Sequence, residues 1–197
     1  ALFGGDRNSV EYEDLSASER FIKLNDGEVD LLSRLTTANL QRDVFESGSG
    51  IGFTFSQPNF YDGLTMGGIP PFHQCADDLT ILGDCDSIQI CVNVGTTFET
   101  VVAELFPDRV IVRRDGDAIN GLADGSCNVV AGGVTDVSRT TILSTGYGGP
   151  YDIGTGRYSR DPLAIVTRQD DHQWSQFVNW IVDAIFFAEE QGITAAN

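Results

Sequence analysis

Residues 161–174 read Asp161-Pro162-Leu163-Ala164-Ile165-Val166-Thr167-Arg168-Gln169-Asp170-Asp171-His172-Gln173-Trp174. The chain runs on through Phe177-Val178-Asn179-Trp180 to Gly192-Ile193-Thr194-Ala195-Ala196-Asn197. A short apolar strand, an acidic turn and a long amphipathic helix follow one another with almost no spacer. From Trp174 onward, the apolar positions 174, 177, 178, 181, 182 and 185 fall on one stripe at helical spacing, the pattern of a helix laid on a core. His172 stands in the acidic turn that opens this helix, where capping is the simplest role for its neighbours.

The same strand-to-helix alternation is found upstream. Val10–Asp14 and Val29–Leu32 read as short strands around a helix. Ser16-Ala17-Ser18-Glu19 is a capping box opening that helix, which would bury Phe21, Ile22 and Leu24 and stop at Asn25-Asp26-Gly27. Ile51–Phe55 and Phe60–Leu64 are aromatic-rich extended segments. Ile88–Val94 is a strand, followed by Gly95-Thr96-Thr97 and a helix over Phe98–Phe106. Val110–Val112 and Asn128–Ala131 are further strands, with a short helix at Ala118–Ala123 between them. Such alternation predicts an α/β fold with largely parallel sheets. Two tracts rich in Gly and Pro, Met66–Pro71 and Gly146–Gly156, are expected to be crossings between two lobes. They divide the chain into a discontinuous lobe (1–66 plus 150–197) and an inserted lobe (67–149).

The chain has 197 residues, of which 41% are hydrophobic and 21% charged, ordinary values for a globular protein. No run approaches the ~20 apolar residues of a membrane span, and no basic-then-apolar leader is present. Twenty-nine acids against 12 bases give a formal charge of −17. That excludes phosphate-directed binding to nucleic acid and attraction to an anionic membrane, which need clustered Lys and Arg. The charge otherwise describes a self-repelling, soluble surface. Cys75, Cys85, Cys91 and Cys127 form no C-x-x-C pair, and only His73 and His172 could join them on a metal. No metal or cofactor is expected. An even count favours two disulfides and an oxidising compartment over four reduced thiols. No acid/base or nucleophile motif stands out, so no enzymatic activity is expected.

Three motifs carry a resemblance. The first is Ser33-Arg34-Leu35-Thr36-Thr37-Ala38-Asn39-Leu40-Gln41-Arg42-Asp43, the second Cys91-Val92-Asn93-Val94-Gly95-Thr96-Thr97-Phe98-Glu99, and the third Gly125-Ser126-Cys127-Asn128-Val129-Val130. With the C-terminal block, they resemble the family 3 extracellular solute-binding proteins of ABC importers, in particular the general L-amino-acid-binding branch. The resemblance implies a two-lobed, periplasmic-binding-protein-like α/β fold of type 2 that holds an amino acid between its lobes. In that family a Thr-x-Thr-x-x-Arg turn clamps the ligand carboxylate. Thr37 and Arg42 match it, while Asn39 replaces the second threonine and Ala38 a tryptophan. A guanidinium suits a planar carboxylate because two N–H groups can serve its two oxygens. Gly95, Thr96 and Thr97 match the turn whose helix N-terminus touches the same carboxylate. Backbone N–H groups and the helix dipole favour an anion there. The third motif implies a Cys91–Cys127 disulfide. Cys75–Cys85 is expected to close the short loop between them. The family's ammonium-binding aspartate falls at Gly133, and Asp136 is the nearest acid, reached by a three-residue insertion.

At the front, Ala1-Leu2-Phe3-Gly4-Gly5-Asp6 resembles the end of the family's first helix, so that the first βα unit is missing. The resemblance implies a truncated or processed piece, or a gap filled by an N-terminal fragment or a second copy. The functional expectation is a periplasmic or secreted solute-binding protein, with an amino acid as ligand and an ABC permease as partner. The alternative is a secreted interaction or structural protein of the same fold with a degenerate site.

Overall fold

In the computed structural model, residues 7–45, 52–78 and 85–194 are described. The readings at Ala1–Asp6, at Ile51 and over most of the Cys75–Cys85 loop lie outside them.

The principal sheet has five strands in the order β5-β4-β6-β3-β7. They are β3 (Leu64–Gly68), β4 (Gln89–Asn93), β5 (Val110–Arg114), β6 (Val129–Gly133) and β7 (Asp152–Ile153). Successive strand residues point to opposite faces, and this alternation divides the core in two. Ile90, Val92, Val129 and Ala131 meet Leu64, Met66, Val102 and Phe106 on one face. Cys91 and Val130 meet Val137, Ile142, Leu122 and Tyr151 on the other. Both faces are covered, so β4 and β6 read as continuous apolar runs rather than as alternating ones. Each large side chain so buried contributes roughly 1.5–3 kcal/mol.

The helices covering this sheet are α3 (Phe72–Asp77), α4 (Thr97–Leu105), α5 (Gly121–Asp124) and α6 (Arg139–Ser144). Both expected disulfides are present, Cys75–Cys85 and Cys91–Cys127. Gly121 makes room for the second, since a Cβ there would lie 2.3 Å from Cys91 Sγ and 2.5 Å from Cys127 Sγ.

The remaining elements form the other lobe. They are α1 (Arg20–Asn25), α2 (Leu40–Phe45), β1 (Phe53–Phe55), β2 (Phe60–Asp62), β8 (Asp161–Leu163), β9 (Val166–Arg168) and α7 (His172–Glu190). Its strands pair as two antiparallel ladders, β1–β9 and β2–β8. Phe21, Leu24, Leu32, Phe53 and Val166 make its core, with the Phe21 and Phe53 rings 5.2 Å apart. At the start of α1, Ser16 N–H donates to Glu19 Oε2 at 3.1 Å, the backward arm of the expected capping box. The Ser16 hydroxyl also donates to that carboxylate, instead of accepting a backbone N–H.

Several expectations are corrected. Met66–Pro71 is not a bare crossing, because Leu64–Gly68 is a fully buried strand of the five-stranded sheet. That sheet is mixed: β4 runs parallel to β5 and β6, whereas β3 is antiparallel to β6 and β7. Val10–Asp14 lies in no strand, and only Leu32 of Val29–Leu32 forms a bridge, to Val166. Extended residues become a strand only when a neighbour pairs with them. Of the α7 stripe, Val178 and Val182 are buried, but Ile181 and Ile185 are 40% and 57% exposed. The helix spans 19 residues, about 28 Å. The three-residue ladder beneath it spans about 10 Å, so the second half of α7 overhangs the core.

A polar clamp ties α3 to the return segment 154–158. The Asp77 carboxylate accepts from Thr155 N–H at 2.6 Å, Thr155 Oγ1 at 2.8 Å, Gly156 N–H at 2.8 Å and the Tyr158 hydroxyl at 2.9 Å. Burial works against the charged form, but these donors outweigh it and hold the Asp77 carboxyl below its ordinary value. A depressed folded value means stability that is full above pH ~4 and lost as pH falls further through the folded value. Asp77→Ala should therefore destabilise the protein by about 1–3 kcal/mol at pH 7. The wild-type advantage should shrink in thermal melts below pH 4, and an equal deficit at pH 7 and pH 3 would contradict this account.

Candidate functional site

The site is built where the turn around Thr37 meets β8. An isolated bridge pairs Thr37 with Leu163, supported by Ala38 N–H to Pro162 O at 2.8 Å and Ala164 N–H to Thr36 O at 3.0 Å. These bonds hold the Thr37 turn against β8 and bring Thr37 Oγ1 within 3.2 Å of Asp161 Oδ1. From the other lobe, Thr97 Oγ1 donates to the same Asp161 oxygen at 3.3 Å and lies 3.3 Å from Thr37 Oγ1. Ser159 Oγ donates to the second Asp161 oxygen. One buried carboxylate thus gathers hydroxyls from both lobes.

Arg42 is buried at 4% exposure and Arg20 at 3%. Both guanidinium carbons sit 5.1 Å from the Phe21 ring centroid. Arg42 Nη1 donates to Thr37 O at 3.0 Å, and Nη2 reaches Gly95 O at 3.5 Å. Arg20 Nη2 also reaches Gly95 O at 3.5 Å. Two buried cations therefore face the Gly95 turn that leads into α4. The first N–H groups of α4 lack intrahelical partners, so this junction favours an anion. Gly95 has φ +69, and a Cβ there would stand 2.9 Å from Ala17 O. Only glycine lets the two lobes approach this closely.

The structure brings Thr37, Arg42, Gly95 and Thr97 together. Thr96 and Asn39 are occupied as caps. Thr96 Oγ1 accepts from Glu99 N–H at 3.2 Å and donates to Asn93 O at 2.7 Å. Asn39 Oδ1 accepts from Arg42 N–H at 2.9 Å, so Asn39 orients the helical turn that carries Arg42.

Sequence reasoning missed Asp161 and Asp62. These two stand opposite each other in the β2–β8 ladder and so share one face. Asp62 Oδ1 accepts from Gly63 N–H at 2.8 Å and Val134 N–H at 2.9 Å. A Cβ on Gly133 would stand 2.2 Å from Asp62 Oδ2 and 3.5 Å from Asp136 Oδ2. The glycine at the position of the family's aspartate thus leaves space that the Asp62 carboxylate uses. Burial first, then the Asp62 charge, raises Asp136 above the ordinary carboxylate value. A carboxyl raised in the folded state costs stability as pH climbs from its unfolded value through its folded one. Asp136→Asn should accordingly raise the melting temperature at pH 7, with the gain vanishing near pH 3. A lower melting temperature for this variant at pH 7 would rule out the repulsion.

Among the described residues no group of three or more His, Cys, Asp or Glu side chains could hold a metal ion. No helix there is long and apolar enough to cross a membrane.

The chain thus folds as two lobes that meet at a junction of buried guanidiniums, hydroxyls and a buried carboxylate. No family model matches the chain. The chain is 33% identical over 205 residues to the putative amino-acid ABC transporter-binding protein YhdW of Escherichia coli, matching 100% of this chain and 56% of that protein. It is also 33% identical over 207 residues to the general L-amino acid-binding periplasmic protein AapJ of Rhizobium johnstonii, again matching 100% of this chain and 56% of that one. A periplasmic binding protein of an ABC transporter from Brucella ovis, solved with glutathione bound, superposes with a TM-score of 0.77 at 29% identity, over 98% of this chain and 59% of that one. In fold and in sequence the chain is similar to periplasmic binding proteins of ABC transporters, amino-acid-binding ones among them. It spans just over half the length of the curated relatives it matches.

Proposed function

We propose that this protein binds an L-amino acid, or a similar small carboxylate carrying an ammonium group, between its lobes. It then presents the ligand to an ABC permease in the periplasm or outside the cell. The observation that carries this reading is the Asp161 junction, where one buried carboxylate takes hydroxyls from Thr37 and Thr97 beside two buried guanidiniums. The ligand carboxylate lies against Arg42 and the α4 N-terminus after Gly95 and Thr96. The ammonium lies on the acidic side, at Asp161 with Asp62 and Asp136. A zwitterion matches both halves, and each charge-assisted hydrogen bond is shorter and stronger than a neutral one.

The expected division into 1–66 plus 150–197 against 67–149 is kept in outline, with its boundaries moved to the chain on either side of the five-stranded sheet, near Gly63 and Gly154. That AapJ is named for general L-amino acid binding, and that the Brucella ovis protein was solved with glutathione bound, supports an amino-acid group as the recognised element. Titration calorimetry against the common L-amino acids, their D-enantiomers and glutathione tests the reading. Heat is expected with at least one L-amino acid and none with the matching amine that lacks the carboxylate. A blank response across the panel at millimolar ligand would remove amino-acid binding as the function.

A further inference from the structure

The two lobes also touch away from the Asp161 junction. Asp115 follows the last residue of β5 in one lobe, and Ser18 stands just ahead of α1 in the other. The Ser18 hydroxyl donates to Asp115 Oδ1 at 2.8 Å, and the Asp115 carboxylate has no other partner among the described residues. Beside this bond the backbones nearly meet. A Cβ on Gly95 would stand 2.9 Å from Ala17 O and from Ser18 Cα. Arg20 Nη2 reaches Gly95 O at 3.5 Å. Ala17, Ser18 and Arg20 thus all face the five-stranded-sheet lobe.

Ser18 is also part of the capping box. Ser16 Oγ donates to Glu19 Oε2 at 2.7 Å and lies 2.9 Å from Ser18 Oγ. A serine hydroxyl carries one hydrogen. With the Ser16 hydrogen on Glu19 and the Ser18 hydrogen on Asp115, the Ser16–Ser18 contact has no hydrogen of its own. When Asp115 withdraws, Ser18 can turn its hydrogen to Ser16 Oγ. One hydroxyl therefore has a partner in both states, Asp115 when the lobes meet and Ser16 when they part. A hydrogen bond to a carboxylate is roughly twice as strong as a neutral one, so this exchange favours closure while leaving it easy to reverse.

Reversal is needed. Thr37 and Asp161 are 8% and 4% exposed, so a solute reaches the junction only when the lobes part. The chain passes between the lobes twice, near Gly63 and between Ile153 and Asp161, which leaves them free to hinge.

We propose that the start of α1 is a latch: Ser18, exchanging Ser16 for Asp115, holds the lobes closed over the junction whether or not a ligand is bound, so that the empty chain populates the closed form. The latch lies outside the groups assigned to the ligand, and it does not depend on which solute the junction takes.

The test is the distance between spin labels at Gln176→Cys on α7 and Glu104→Cys on α4, both exposed positions. It is measured by pulsed electron resonance on the ligand-free 197-residue chain with both disulfides intact. The wild-type chain should be mostly closed, at the distance of the structure described above. Ser18→Ala and Asp115→Ala should each lower the closed-to-open ratio by about threefold to tenfold, the range of one hydrogen bond. The double variant should lower it no further. Ser18→Thr keeps the hydroxyl and should keep the wild-type ratio. Three results would overturn the proposal. One is a wild-type chain that is open throughout without ligand. Another is a distance distribution that neither single alanine variant changes. The third is a double variant in which the two effects add, which would mean that Ser18 and Asp115 act apart.

Discussion

Arg42→Met is expected to weaken amino-acid binding by about 3 kcal/mol, roughly a hundredfold in Kd. The guanidinium is 4% exposed and reaches backbone carbonyls on both sides of the junction, so nothing solvated can replace it when a carboxylate arrives. Methionine keeps much of the volume over Phe21 but removes every N–H donor. The same change strips Thr37 O of a donor, so folding is checked alongside by thermal melting. Asp161→Asn is the second arm. It keeps the shape and can still accept from Thr37 and Thr97, yet loses the charge that faces an ammonium. It should weaken α-amino acids strongly and leave a carboxylate without an amine nearly unaffected. Kd values for both variants within threefold of wild type would remove these residues from the site.

Removing the Cys91–Cys127 disulfide by paired alanine substitution should cost about 4 kcal/mol, and removing Cys75–Cys85 about 3 kcal/mol. The ordering follows from sequence separations of 36 and 10, because a longer closed loop restricts the unfolded chain more. For a chain of this size the first pair should lower the melting temperature by roughly 8–16 °C. Its sulfurs also sit between β4, β6 and Gly121 in the buried core, so the deletion leaves space there as well. Scanning calorimetry of the two double variants decides the matter. A smaller loss for the 91/127 pair than for the 75/85 pair would mean that chain entropy does not set the ranking.

The junction also shows where reading by motif stops. Thr37, Arg42, Gly95 and Thr97 were legible because each stands in a local pattern that converges on one chemistry. Thr96 and Asn39 stand in the same patterns, yet their oxygens are taken by backbone N–H groups of their own turns. Capping and ligand binding use the same atoms, so a sequence cannot assign them. Asp161 and Asp62 could have drawn notice as acids within short apolar strands. Their partnership depends on the β2–β8 register, and register is a long-range property.

By itself the sequence determined the elements whose signal is local: β4, β5 and β6, the α4 turn with its cap, α1 and the long final helix. Each has a period, a cap or a breaker within a few residues, because the forces that shape it act over one turn or one strand. Tertiary structure alone decided that Leu64–Gly68 joins the five-stranded sheet, that Val10–Asp14 stays unpaired, and that Ile181 and Ile185 of the α7 stripe meet water. It also decided that Asp161 joins the two lobes. Each of these outcomes depends on a neighbour far along the chain, and burial and strand pairing belong to contacts rather than to residues.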